Sequence, residues 1–244
     1  MKKLIFILTV LFFSTNTVFA QWWSSSERIS GNKEMVKQTR SISDYDQVSV
    51  TGMMEVQLVA GKEGRIDIEA ESNLLELIET EVSGGHLKIS VKKGYNLQPS
   101  NNHPIRLVVP FESIYAVTLT GSGNISNRDE IREKDFDITV TGSGNVNLSL
   151  VSQNLEGSIT GSGDVILRGN TENFKVKVTG SGDFLAYDLQ ANNIDASVLG
   201  SGDIEISPGN ELNAKIAGSG DIKYRGNPGK QNFKTTGSGS VSKS

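Results

Sequence analysis

From about residue 116 the chain is written in short alternating blocks of apolar and polar residues. Val117-Thr118-Leu119, Ile138-Thr139-Val140, Phe174-Lys175-Val176-Lys177-Val178 and Ile194-Asp195-Ala196-Ser197-Val198 share this layout. A period of two over such lengths predicts half-buried β-strands, and no 3.6-residue pattern competes with it. Each block runs into Gly-Ser-Gly, then a polar residue and a second alternation: Asn145-Val146-Asn147-Leu148, Asp164-Val165-Ile166-Leu167, Asp203-Ile204-Glu205-Ile206, Asp221-Ile222-Lys223-Tyr224. The tripeptide begins at Gly121, Gly142, Gly161, Gly180, Gly200, Gly218 and Gly237, with spacings of 21, 19, 19, 20, 18 and 19 residues. Beyond the second alternation lie Gly169-Asn170, Pro208-Gly209-Asn210 and Gly226-Asn227-Pro228-Gly229, which carry turn chemistry.

Two short strands cannot bury an apolar face alone, so a repeat of this length must stack on its neighbours. The pattern predicts an all-β fold: a right-handed parallel β-helix, or solenoid, of ~19-residue coils with Gly-Ser-Gly turns. An antiparallel β-sandwich is the alternative arrangement of the same strands. A left-handed hexapeptide helix lacks its six-residue period here, and the calcium-binding nonapeptide solenoid lacks its period of nine. Ile159 and Val165 are six residues apart and both apolar, so a chain extended through the turn places Gly161 and Gly163 inward. Thr160, Ser162 and Asp164 then point outward, as do Thr179, Ser181 and Asp183, Ser201 and Asp203, and Ser219 and Asp221. In stacked coils these residues form columns, which makes them the candidate binding face.

The first 20 residues read as an export signal: Lys2 and Lys3, an apolar run from Leu4 to Phe13, and Val18-Phe19-Ala20 at the cleavage site. The run is too short for a membrane span, so no span is expected once the signal is removed. Residues 21–42 show no sustained periodicity and are expected as a tether. Residues 43–240 form the solenoid domain, with degenerate coils over 43–110, regular repeats over 111–240 and a tail at 241–244. Within 43–110, Val48-Ser49-Val50-Thr51-Gly52-Met53-Met54-Glu55-Val56-Gln57-Leu58 repeats the Thr-Gly layout with two methionines in place of Ser-Gly. It is expected as an eighth copy and the capping coil. Strands are expected over 65–69, 87–91 and 105–109, and a helical turn at Asn73-Leu74-Leu75-Glu76-Leu77-Ile78 with Asn73 as N-cap.

Three features in this order, Tyr45-Asp46-Gln47-Val48-Ser49-Val50-Thr51-Gly52, then Asn73 to Ile78 leading into Gly85-His86-Leu87-Lys88-Ile89, then the Gly-Ser-Gly series, resemble the GIN-domain family. That family is described as an auto-transporter adhesin head domain, a domain of unknown function. The resemblance spans roughly residues 43–240. It implies an exported β-helical domain with adhesion as the suggested role, and it transfers no catalytic residue. The chain departs from the adhesin label in showing no translocator barrel, coiled-coil stalk or sorting domain after Ser240.

Composition narrows the chemistry. Without Lys2 and Lys3 the chain has 22 basic and 28 acidic residues, a net charge of −6, which speaks against nucleic acid or an anionic membrane as partner. With no cysteine, burial and hydrogen bonds must hold the exported fold. The two histidines, His86 and His103, sit at a strand start and in a loop, and form no metal pair. No catalytic, cofactor or metal site is read. The Asp column at Asp164, Asp183, Asp203 and Asp221 could bind calcium or sugar, or serve a polysaccharide-cleaving enzyme. A residue repeated in every coil specifies structure more readily than catalysis, which needs one unique constellation. The arginines Arg128, Arg132, Arg168 and Arg225 do not recur beside it in consecutive coils. The expectation is an exported, non-catalytic binding or adhesion module whose extended face contacts a glycan or a cell-envelope or surface protein, in the periplasm, at the cell surface or secreted. A carbohydrate-active β-helix enzyme is the alternative. No oligomeric state is read from the sequence.

Overall fold

The computed structural model describes residues 26–244. The expected signal segment, 1–20, and the first five residues of the expected tether lie outside the described residues. The rest of that tether is not one. Glu27–Ser30 is strand β1 and Met35–Ser41 is strand β2. Neither carries the strict apolar alternation that marks the repeats, which is why periodicity alone passes over them.

The chain continues through β3 (Gln47–Gly52), β4 (Glu55–Ala60) and β5 (Arg65–Glu71). A single helical turn follows, α1 (Ser72–Leu75), whose N-cap position is Glu71, so Asn73 lies inside the turn and does not cap it. Then come β6 (Ile78–Ser83), β7 (His86–Val91), β8 (Tyr95–Gln98) and β9 (Arg106–Phe111). The regular coils run through β10 (Ala116–Gly121), β11 (Asn124–Asn127), β12 (Ile131–Gly142), β13 (Asn145–Gly161) and β14 (Val165–Gly180). They end with β15 (Phe184–Gly200), β16 (Ile204–Gly218), β17 (Ile222–Tyr224), β18 (Lys230–Gly237) and β19 (Val241–Lys243). Strand β14 runs through Gly169-Asn170 and β16 through Pro208-Gly209-Asn210, so neither turn signal ends its strand.

Every pairing from β10 to β19 is parallel, and each coil stacks on the next with like residues in register. This is the β-solenoid, and parallel pairing removes the sandwich alternative. The core is a set of columns. One runs Val56, Ile125, Val146, Val165, Phe184, Ile204, Ile222, Val241. Another runs Val50, Leu119, Val140, Ile159, Val178, Val198, Ile216. From Val50 to Val198 its members are at most 1% exposed. Column volumes compensate between coils: Gly157 leaves the space that the Phe184 ring fills, and a side chain built at Gly157 would overlap that ring at 2.6 Å.

The Thr51-Gly52-Met53-Met54 copy is a true coil, with Gly52 in register with Gly121. It does not end the stack. β7 pairs parallel to β3, and β9 pairs parallel to β4, on the side away from the repeats. Antiparallel strands then close that end: β6 on β7, β5 on β9, and β2 on β5. The solenoid is therefore capped by a change of strand direction, which the repeat pattern could not announce.

The two glycines of each turn differ: the second, such as Gly163, is buried as expected, while the first, such as Gly161, is half-buried with a positive φ. Gly52, Gly121, Gly142, Gly161, Gly180, Gly200, Gly218 and Gly237 share one column, and all have φ between +117° and +143°. A Cβ at Gly142 would lie 2.5 Å from the Gly121 carbonyl oxygen of the preceding coil. The second glycine fails in the same direction: a Cβ at Gly144 would lie 2.5 Å from Gly123 O. The obstruction is the backbone of the neighbouring coil along the stack. At the second glycine the interior adds to it: a Cβ at Gly144 would also lie 2.7 Å from Leu119 Cδ2 of the core.

Candidate functional site

The bend is built by sharing one acceptor between two donors. Gly142 C=O receives the N–H groups of both Ser162 and Gly163, at 2.8 and 3.1 Å, and Gly161 C=O receives those of Ser181 and Gly182 at the same distances. From Asp164 onward the N–H that follows this pair takes a side-chain acceptor, first Asn145 and then the aspartates. Asp164 Oδ1 accepts from Asp183 N–H at 3.0 Å, Asp183 Oδ1 from Asp203 N–H at 2.8 Å, and Asp203 Oδ1 from Asp221 N–H at 2.8 Å. Asp221 Oδ1 closes the run by accepting both the N–H and the hydroxyl of Ser240, at 2.8 and 2.9 Å. These two bonds hold the Asp221 carboxyl below its ordinary pKa.

Ahead of the aspartates the column holds Glu55, Asn124 and Asn145. Asn145 Nδ2 donates to Asn124 Oδ1 at 3.1 Å, and Asn145 Oδ1 accepts from Asp164 N–H at 3.2 Å. In the earliest coils the corresponding N–H still finds a backbone carbonyl, Asn124 to Met54 O and Asn145 to Gly123 O. Side-chain acceptance begins with the Asn145 amide oxygen and continues through the aspartates. Among the described residues no group of three or more His, Asp or Glu is arranged to hold a metal ion.

Of the residues expected to form the binding face, the structure brings all into adjacent columns. Thr160 stacks on Thr179, and Ser162, Ser181, Ser201 and Ser219 stand exposed on successive bends. The four aspartates are half-buried beside them. Leu199 and Ala217 replace threonine in the Thr column of the later coils, and Leu199 is 51% exposed.

The same outer face extends further than the sequence reading reached. Asn154, Glu156, Ser158 and Thr160 alternate outward along β13, and their counterparts in the next coils form parallel columns. One is an asparagine ladder. Asn154 Nδ2 donates to Asp135 Oδ1 at 2.6 Å, Asn173 to Asn154 at 2.9 Å, and Asn193 to Asn173 and Asn210 to Asn193 at 3.0 Å. A groove of about 590 Å3 follows this ladder, lined also by Asp137, Glu156, Lys175, Asp195 and Glu211. Burial, then the nearby Glu156 and Asp135 carboxylates, raises the Asp137 pKa. The hydrogen bond from Lys175 Nζ to Glu156 at 2.7 Å raises that of Lys175. The signal was in the sequence as Asn immediately before an apolar residue at Asn154-Leu155, Asn173-Phe174 and Asn193-Ile194, nearly one coil apart each time. A shallower concavity of about 610 Å3 lies elsewhere on the coils, beside Ser152, Asn170, Thr171, Glu172 and Gln190.

His86 and His103 are placed apart. His86 Nε2 bonds to Ser49 Oγ at 2.7 Å across β7 and β3, while His103 lies in the loop before β9. No helix of the described residues is long and apolar enough to cross a membrane.

Comparison with known proteins matches residues 44–228 to a family model described as "Putative auto-transporter adhesin, head GIN domain". Solved structures share the fold. A "putative adhesin" from Bacteroides fragilis NCTC 9343 is 22% identical with a TM-score of 0.83, covering 88% of this chain and 100% of its own. A "putative lipid binding protein" from Parabacteroides distasonis ATCC 8503 is 27% identical with a TM-score of 0.73, covering 89% and 100%. A "putative adhesin" from Parabacteroides merdae ATCC 43184 is 21% identical with a TM-score of 0.72, covering 89% and 99%. None of the curated proteins compared with the chain matches it.

Proposed function

Since the chain belongs to the family described as "Putative auto-transporter adhesin, head GIN domain", we propose that it is an exported, non-catalytic adhesion module whose long polar face contacts a glycan or a protein of the cell envelope or surface. The observation that carries this reading is the repetition of the face. Thr160 and Thr179, Ser162, Ser181, Ser201 and Ser219 recur coil after coil in register, and the groove columns run alongside them. A surface that repeats every coil suits a partner that is itself extended, and it offers many equivalent weak contacts whose sum is avidity.

The Asp column supports the same reading from the other side. Asp164, Asp183, Asp203 and Asp221 each commit one carboxylate oxygen to the next coil. A general acid or nucleophile needs its carboxylate aimed at substrate and tuned individually, and a carbohydrate-active enzyme would require one coil unlike its neighbours. The acids of the groove come closer to that requirement, yet Glu156 is ion-paired to Lys175.

The test is binding of the mature chain to glycan arrays and to envelope-protein pull-downs, with Ser162→Arg/Ser181→Arg/Ser201→Arg as the face variant. Tenfold or greater weakening with an unchanged melting temperature is expected, since all three serines are exposed. Retained binding by that variant would move the site off this face. Hydrolytic or lyase turnover of any array glycan, abolished by Asp183→Ala or Glu156→Gln, would replace adhesion by catalysis.

A further inference from the structure

The two ends of the solenoid are unlike in structure, and the outer strands of one column, β18 and β6, are opposite in charge. At the C-terminal end the last coil is open. β18 pairs with β16 on one side and β19 with β17 on one side, and neither has a second partner among the described residues. All eight residues of β18 are exposed, including Phe233 at 40%, whose ring packs 6.0 Å from that of Tyr224. This end is also basic: residues 222–244 hold Lys223, Arg225, Lys230, Lys234 and Lys243 and no Asp or Glu, in a chain whose net charge is −4.

At the opposite end β6 is the outer strand of the column that β18 terminates, and β2 is the outer strand of the column that β19 terminates. β6 reads Ile78-Glu79-Thr80-Glu81-Val82-Ser83, with Ile78 buried, Thr80 and Val82 half-buried, and Glu79 and Glu81 exposed. Lys92 N–H donates to Leu77 C=O on the β7 side. In antiparallel alternation the backbone groups of Ile78, Thr80 and Val82 therefore point to the outer edge. Arg40 reaches Ile78 C=O at 2.6 Å, which occupies one end of that edge and leaves the backbone of Thr80 and Val82.

We propose that the open C-terminal coil is a docking surface for the β6 edge of a second copy of this chain, so that copies stack head to tail along the solenoid axis. Strand direction and side-chain order fit. β18 runs parallel to β7 through the intervening coils, and β6 runs antiparallel to β7, so a copy stacked along the same axis presents β18 antiparallel to β6. With Thr80 opposite Phe233, Glu79 stands opposite Lys234. Glu81 then stands opposite Asn232, diagonal to both Lys230 and Lys234. Opposite-charge cross-strand pairs of this kind stabilise pairing and fix its register. On the inner face Phe233 meets the half-buried Thr80 and Val82, extending the core column across the junction. The same stacking brings β19 beside β2, so both columns continue. A contact between different surfaces on the two copies does not close on itself, and it generates a filament.

Sedimentation velocity of the mature chain at low salt over a hundredfold concentration range tests this directly and needs no adhesion ligand. The expected result is a continuous rise in mass with concentration, suppressed by high salt. Lys230→Glu/Lys234→Glu and Glu79→Lys/Glu81→Lys should each be monomeric, with melting temperatures little changed, because these residues are exposed and the ion pair lost, Lys230 to Glu211 at 3.7 Å, lies at the surface. Mixed one to one, the two variants should associate again, since their reversed ends are complementary. Lys230→Gln/Lys234→Gln provides the same readout should the reversed variant fold poorly. A wild type that stays monomeric throughout, a discrete dimer that stops growing, or association indifferent to the charge reversals would overturn the proposal.

Discussion

Where a side chain would begin at Gly180, the structure has the carbonyl oxygen of Gly161, and φ at Gly180 is +122°. Two independent penalties coincide, a left-handed backbone and an inter-coil overlap with an atom that cannot move without unstitching the ladder. Gly180→Val is expected to cost about 3 kcal/mol or more, read as a lowered denaturant midpoint. Gly182 separates the two effects. It lies outside the left-handed region, yet its Cβ would overlap Gly163 O, so Gly182→Ala should also destabilise clearly. Gly61→Ala, whose Cβ would meet Pro110 at an ordinary 3.9 Å, should stay within about 0.5 kcal/mol. Equal effects at Gly61 and Gly182 would contradict the stacking account of the glycines. Asp183 is the matching polar case. Asp183→Ala leaves the Asp203 N–H without its acceptor and should cost about 1–3 kcal/mol, whereas Asp183→Asn keeps Oδ1 and most of the stability. Chemical denaturation of the three proteins side by side makes the comparison.

At the scale of elements, the N-terminal cap is tied together by one buried acid. Glu71 is fully buried at the end of β5, where Oε1 accepts from Lys33 N–H at 2.5 Å and Oε2 from Ser100 N–H at 2.8 Å. Burial alone would raise its pKa, but these bonds, aided by nearby His103, hold it lower than usual. A carboxyl whose folded pKa is depressed stabilises the fold above its unfolded pKa of about 4.3, and that contribution disappears as pH falls through the folded value. The wild type should therefore lose melting temperature on acidification below about pH 4.5 more steeply than Glu71→Gln does, with the two curves converging at low pH. Parallel curves would mean that Glu71 contributes nothing through its charge. This clamp also marks where the sequence stopped being legible. The repeats announced their strands, their stacking and the Asp column, because alternation and a Gly-Ser-Gly period are local signals. The antiparallel cap is held by Glu71 reaching residues 38 and 29 positions away in sequence, and by Arg40 reaching Ile78 and Leu75 carbonyls. Nothing periodic encodes such contacts. The face residues fell between the two cases. Thr160, Ser162 and Asp164 could be placed outward by parity, but the role of Asp164 emerges only once the shared carbonyl at the bend is seen.

For the whole molecule, a stack of coils is nearly one-dimensional, and each coil gains stability mainly from the two beside it. Interior coils such as β13 to β15 have neighbours on both sides, and the N-terminal end gains three antiparallel strands. The C-terminal coil has one neighbour and an exposed strand. Amide hydrogen exchange in dilute solution should therefore show a gradient, with the slowest amides in β13, β14 and β15 and the fastest in β18 and β19. Position within the stack should also set how far damage spreads. Gly220→Val, whose side chain would overlap Gly202 O near the open end, should accelerate exchange in β16 to β19 while leaving β12 to β14 protected. Gly163→Val, which meets Gly144 O in the middle, interrupts the stack between its capped and open halves and should lower protection on both sides. Uniform loss of protection in both variants would mean that the solenoid unfolds as a single cooperative unit. The gradient bears on association as well: at concentrations where copies stack, β18 amides and the outer-edge amides of β6 should slow markedly while those of β13 to β15 stay unchanged, because only the two ends acquire new neighbours.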